Sequence, residues 1–277
     1  MGNKLTIPKN LDELFDEVSQ SKRDVYYLAG GTDINIQIKR SMIQDSDIFF
    51  INSFDELRKI SFEKKVLTIG ALCTFGEVIG SQIVSNNISF LPKALQNFAS
   101  PLLQNTATIG GNIANGSPTA DILPILLALD TKLNLISKDK KRVVKLKDYF
   151  TGYKQTILKR GELIESIEIE VDLDKKSFYK KVSARKSLTI AKVSICAVVK
   201  PQTKDIKIAV GSLNEYARRL FKMEEYLLSS NVSEKGIKEV LKSEISPISD
   251  LRSDDTYRFE VCLNLVIRFA KEYGFLN

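Results

Sequence analysis

Leu11, Leu14, Phe15 and Val18 recur at helical spacing, and Asn10 with Glu13 resembles a capping box, so the pattern predicts a short amphipathic helix near the start of the chain. Residues 25–28 are β-prone and run into Gly30-Gly31, beyond which Ile34, Ile36 and Ile38 alternate with polar residues as on a half-buried strand. The local order expected is strand, glycine loop, then strand or helix. Further strands are predicted at 48–51 and 66–69, and helices around 75–79 and 92–98. From 131 to 171 the chain reads as mostly extended, with Leu133, Leu135, Ile164, Ile167 and Ile169 facing a core. A polar stretch at 172–177 follows, then strand-like runs at 178–182, 193–200 and 206–211, then helix-like segments from Asn214 onward. Mixed α and β in the first block, and strands before helices in the second, predict two domains, 1–174 and 175–277.

Composition narrows the chemistry by what it lacks. The 277 residues include no histidine, which removes Ser-His and Cys-His triads, His-bearing zinc sites and the usual neutral-pH general base. Cys73, Cys196 and Cys262 are widely spaced, so they cannot supply four ligands to an iron–sulfur cluster and are expected to be buried thiols; no metal site is predicted. The formal charge of +7 comes from basic residues interleaved with acids, without an aromatic-rich basic stripe, which points to a solvated lysine-rich surface and not to nucleic acid. Apolar runs such as 122–129 are too short to cross a bilayer, and the first ten residues lack the apolar core of a secretory signal. A cytoplasmic location without membrane contact is expected.

Two glycine-rich stretches stand out, YYLAGGTDINIQIKR at 26–40 and QNTATIGGNIANGSPTADILPILLALD at 104–130. A Gly-Gly pair lets bare backbone approach a ligand and points successive N–H groups at an anion. Thr32 and Thr108 can add neutral hydrogen bonds, whereas Asp33 and Asp121 would repel phosphate but could accept from ribose hydroxyls. Either pair alone could be a tight turn. Two of them, each followed by a small polar residue (Thr32 and Asn112), could clasp one dinucleotide from opposite sides. Gly111 and Gly116 have the spacing of a phosphate-binding P-loop, but Ser117-Pro118 replaces its Lys-Ser/Thr, and no G-x-G-x-x-G occurs, so the dinucleotide would need a fold other than these.

AGGTD and TIGGNIANGSPTAD closely resemble the two FAD-binding signatures of molybdenum-hydroxylase flavoprotein subunits, the xanthine dehydrogenase and carbon monoxide dehydrogenase medium-subunit family. The resemblance continues through LPILLALD, DYFTGYKQTILKRGELIESIEI (148–169), YKKVSARKSLTIAKV (179–193) and ISDLRSDDTYR (248–258), nearly the whole chain. It implies an α+β fold: a PCMH-type, vanillyl-alcohol-oxidase-like, two-lobed FAD-binding domain followed by a C-terminal α+β domain of the CO dehydrogenase flavoprotein type. The FAD contacts it implies are Tyr27, Leu28, Ala29, Gly30, Gly31, Thr32, Asp33 and Ile34 in the first loop, and Thr108, Gly110, Gly111, Asn112, Asn115 and Asp121 in the second. It also puts Phe98 and Ala99 beside the flavin and Ile164 near it, with Lys181 and Arg185 approaching from the C-terminal part. Lys181 is then either a cation that favours the reduced, anionic ring or an ordinary surface lysine.

The implied activity is electron relay by an FAD-carrying subunit of a molybdenum hydroxylase. A molybdopterin-binding large subunit oxidises the substrate, a small 2Fe-2S subunit delivers the electrons, and NAD or another acceptor removes them. No catalytic acid or base is identified in this chain. Thr189-Ile190-Ala191 stands where many relatives have Asp-Ile-Ala, and Gln104-Asn105 where they have Arg-Asn, so the acceptor stays open. The alternatives are a stand-alone FAD-dependent oxidoreductase of the same fold, which would need its own substrate pocket and proton donor, and a basic nucleic-acid-binding module whose glycine pairs are only turns.

Overall fold

In the computed structural model, which describes residues 2–185, 188–203 and 205–276, Asn10 caps the helix Leu11–Gln20 by accepting from the Glu13 N–H. The Glu13 carboxylate reaches back to the Lys9 N–H, one residue before the one a reciprocal capping box requires. Leu14, Phe15 and Val18 turn inward from this helix onto a parallel sheet in which Asp47–Phe50 lies between Lys4–Thr6 and Val25–Leu28.

After Val25–Leu28 the chain turns at Gly31 and enters the helix Ile34–Lys39. The open choice between strand and helix is thereby settled as helix. Ile34 and Ile38, one turn apart, are half-buried, whereas Ile36 is 50% exposed. Over five residues an alternation of two and a helical spacing of four both select Ile34 and Ile38, so periodicity could not separate strand from helix. The other expected elements lie within a few residues of their places, with strands at Asp47–Phe50 and Val66–Gly70 and helices at Phe75–Gly80 and Phe90–Leu95.

The extended stretch forms most of a five-stranded antiparallel sheet, ordered Ile60–Glu63, Val66–Gly70, Leu163–Glu170, Lys132–Ile136 and Lys141–Lys145. A register shift between Ile164 and Ser166 adds one residue to the alternation and so brings Ile164 onto the same face as Ile167 and Ile169. Leu163 joins Phe15, Phe54 and Leu72 under the first helix, while Ile164 joins the main core with Leu133, Leu135, Ile167 and Ile169.

The last sheet is ordered Lys176–Ser183, Ala191–Lys200, Asp205–Gly211 and Arg218–Arg219, and its alternation divides it between two cores. Val193, Ile195, Ala197 and Val199 face the helices Phe221–Leu227, Glu234–Glu244 and Asp255–Glu272. Cys196 and Val198, with Ala209, face the other way into the main core. There they meet the helix Ile122–Ala128, in which every residue is buried, because the last sheet packs on it and it shares the main core with Leu133, Leu135 and Ile167 of the first block. The two predicted domains therefore share a core. All three cysteines are free and buried, and among the described residues no helix is long and apolar enough to cross a membrane.

Candidate functional site: a cleft between two glycine turns

The first glycine turn touches the segment that leads into the second. A Cβ on Gly30 would overlap the Thr106 carbonyl, so only glycine lets the first turn rest against the segment leading into the second. Gly31 adopts φ +73°, and its carbonyl accepts from the Asn35 N–H as the following helix begins. The second turn is pinned from below, because the Ile109 and Gly110 N–H groups donate to the Cys73 and Ala71 carbonyls at 2.9 and 2.8 Å. Thr108 caps the helix Ile109–Asn115, its hydroxyl accepting from the Gly111 N–H at 3.1 Å.

Both turns line one cavity of about 580 Å³, through Ala29, Gly30, Gly31, Thr32, Asp33 and Ile34 on one side and Thr108, Gly111, Asn112 and Asn115 on the other. Tyr27, Leu158, Arg160 and Glu162 line it as well. Thr32, Asp33, Asn112 and Asn115 also line a second cavity of about 810 Å³, so the two hollows adjoin across these residues and are together termed the cleft. Phe98, Ala99, Asp121 and Arg185 border this second part, where Phe98 stacks on Phe75 with centroids 3.9 Å apart.

Four residues of the expected set line neither cavity. The Leu28 carbonyl accepts from Ile51 within the sheet, and Gly110 is anchored on Ala71 beneath its turn. Ile164 lies in the main core. Lys181 borders a separate hollow with Phe90 and Lys93 and sends its ammonium 2.5 Å from Asp121 Oδ2, both side chains being about 10% exposed. It is thus neither a surface lysine nor free to face the cleft. Tyr26, Gln37, Lys154, Lys159, Arg160 and Glu162 were not anticipated in the cleft wall. The turn at Gly161, with φ +81°, presents the last three, and an Arg-Gly-Glu triplet alone carries too weak a signal to be read.

Three polar atoms bordering the cleft are buried without a partner: Tyr27 OH, Asn112 Oδ1 and Asp121 Oδ1. Buried polar groups are otherwise almost always hydrogen-bonded, so these atoms fit a polar ligand lying along the cleft. Burial pushes the Tyr27 phenol up to about 12, which keeps it a neutral donor. Burial also raises the Asp121 carboxyl above its ordinary range, with Lys181 opposing. Bare backbone at two turns, unpartnered polar atoms and two adjoining hollows suit a dinucleotide. Among the described residues no cluster of His, Cys, Asp or Glu could hold a metal ion.

Fold and cleft together point to a dinucleotide-binding protein. Residues 2–170 match the FAD binding domain in molybdopterin dehydrogenase, and residues 177–273 match the CO dehydrogenase flavoprotein C-terminal domain. The chain belongs to this family of FAD-binding molybdopterin dehydrogenase subunits, and FAD is its cofactor. The glyceraldehyde dehydrogenase medium chain of Sulfolobus acidocaldarius is 30% identical over 250 residues, spanning 88% of this chain and 89% of that one. The carbon monoxide dehydrogenase medium chain of Hydrogenophaga pseudoflava is 27% identical over 268 residues, covering 94% and 93%. A solved structure of carbon monoxide dehydrogenase from the same organism superposes with a TM-score of 0.89 at 25% identity, over 97% of this chain and 96% of that chain. The expected two-part α+β fold and oxidoreductase class are borne out.

Proposed function

We propose that the chain is the electron-transfer subunit of a molybdenum hydroxylase. In this reading a small 2Fe-2S subunit supplies electrons, a molybdopterin-binding large subunit oxidises the substrate, and NAD or another acceptor takes the electrons away, in the cytoplasm. The names of its relatives as medium chains support membership of such an assembly. The observation that carries the reading is the contact between the Gly30 and Thr106 backbones, which draws two glycine turns onto one cleft.

When bound, FAD supplies the redox chemistry, and the protein supplies position and electrostatics. The turns at Gly30-Gly31 and Gly110-Gly111 would hold the diphosphate, with Thr32, Thr108 and Asn112 as neutral partners. Tyr27 and Arg160 border the end that would take the adenosine, and Phe98, Ala99 and Asp121 the end that would take the flavin ring. Residues 1–174 would then carry nearly all the cofactor contacts, and 175–277 would close the ring end through Arg185. Yellow, FAD-containing protein after purification with the 2Fe-2S subunit, and reduction of that FAD by the reduced subunit, are the expected results. A folded chain that takes no FAD would overturn the assignment.

A further inference from the structure

The segment ISDLRSDDTYR holds none of the expected FAD contacts, yet it carries a buried charge. Arg258, in the helix Asp255–Glu272, is 1% exposed. One guanidinium nitrogen donates to the Lys192 carbonyl at 3.2 Å and the Ser212 carbonyl at 2.8 Å, and another lies 2.8 Å from Asp250 Oδ1. Asp250 in turn closes a tight turn: its carboxylate accepts from the Arg252 and Ser253 N–H groups at 2.7 and 3.2 Å. One guanidinium therefore fastens this turn to the last sheet.

The tip of the turn is Leu251-Arg252, and both residues border the cavity assigned to the flavin ring. Leu251 is fully exposed there, so core packing does not account for the clamp. Arg185 and Lys192 border the same cavity. The acids around it do not cancel these cations. Asp121 is paired with Lys181, Asp33 lies at the junction with the first cavity, and Asp250 is shared between Arg258 and Arg252.

We propose that Arg252, Arg185 and Lys192 form a cationic mouth that admits a small anionic electron acceptor to the cleft, and that Arg258 is a positioning residue which holds Arg252 there. The inference rests on the cleft being the FAD site. A low-dielectric cleft with a rim of one sign concentrates ions of the other sign and speeds their encounter, an effect that salt erases.

The test uses the full chain with FAD, reduced anaerobically and mixed in stopped flow with ferricyanide (anionic), 1,4-benzoquinone (neutral) or a cationic ferrocenium. Each ferricyanide takes one electron, so two are consumed per reduced FAD and the released protons pass to solvent. R252Q should slow ferricyanide by about threefold to tenfold at low salt, leave the quinone rate unchanged and speed the ferrocenium; R252K should restore the wild-type pattern. D250N separates position from total charge. It removes a negative charge from the mouth, so it would speed ferricyanide if only the sum of charges mattered, and it should slow ferricyanide if the clamp places Arg252.

Equal effects of R252Q on all three oxidants, or no salt-sensitive effect on ferricyanide, would overturn the mouth. Faster ferricyanide reduction in D250N would overturn the positioning role. A wild-type chain that takes no FAD would overturn the cofactor reading and this inference together, whereas a yellow protein indifferent to oxidant charge would overturn the mouth alone.

Discussion

Replacing Lys181 with methionine tests the buried ion pair that joins the two domains beside the cleft. Its ammonium is 2.5 Å from Asp121 Oδ2, and both side chains are about 10% exposed. At an effective dielectric near 20, unit charges that close attract by about 7 kcal/mol, much of which desolvation of the two groups offsets. Removing one partner leaves a buried carboxylate whose Oδ1 already has no hydrogen-bond partner. K181M should therefore destabilise by about 3–5 kcal/mol at neutral pH, whereas the double variant D121N/K181M should recover most of that loss, because no charge is left uncompensated.

The pH dependence has a definite sign. Burial raises the Asp121 carboxyl and Lys181 opposes the rise, so in K181M the folded-state pKa moves higher still. A carboxyl with a raised folded pKa loses stability as pH climbs from its unfolded value through its folded one. The K181M deficit should accordingly be large near pH 8 and shrink toward pH 4, measured by urea unfolding of the chain without added FAD. Additive single-variant effects, or a deficit that does not change with pH, would refute the buried-pair argument.

G111V should abolish FAD retention in a chain that still folds, because its Cβ would lie 2.8 Å from the Thr108 hydroxyl that caps the helix and its methyls would enter the cleft. Flavin absorbance and circular dichroism check this, with about 1 kcal/mol of stability lost through the cap. G30A forces a methyl into the Thr106 carbonyl, and thermal melts should show about 1–3 kcal/mol lost. E162Q tests a bidentate pair in which both Arg142 contacts are 2.8 Å, and that guanidinium holds the Glu162 carboxyl below its ordinary 4.5. The stability it confers is present above that value and lost as pH falls through the folded pKa. Wild type should therefore melt above E162Q at neutral pH and converge with it in acid.

Much of the site was legible because backbone needs are written in residue type. Glycines forced by a close approach or a positive φ can be read without coordinates, and both turns border one cavity. Strands were legible where alternation was long, as at Ala191–Lys200. Five residues at 34–38 were too few to separate strand from helix. The ion pair of Lys181 with Asp121, sixty residues apart in sequence, depends on how two domains dock, and no local pattern carries that. Arg258 was hidden for a related reason: an arginine in an amphipathic helix reads as surface, and only the fold shows that its head ends among the carbonyls of Lys192 and Ser212.

Docking also decides whether the sequence boundary near residue 174 is a folding boundary. The helix Ile122–Ala128 is buried on every side, and Cys196, Val198, Ala209 and Ala217 from beyond the boundary contribute to the core that holds it. A fragment 1–174 would expose that helix. Each large apolar side chain uncovered costs about 1.5–3 kcal/mol, so two or three consume a large share of the 5–15 kcal/mol that is about typical of a whole domain. The fragment should therefore aggregate or unfold non-cooperatively and lose FAD, although it contains both glycine turns. Cooperative unfolding of 1–174 with full FAD retention would show that the cleft stands without its cover, and the shared core would then be a product of docking and not a condition for the site.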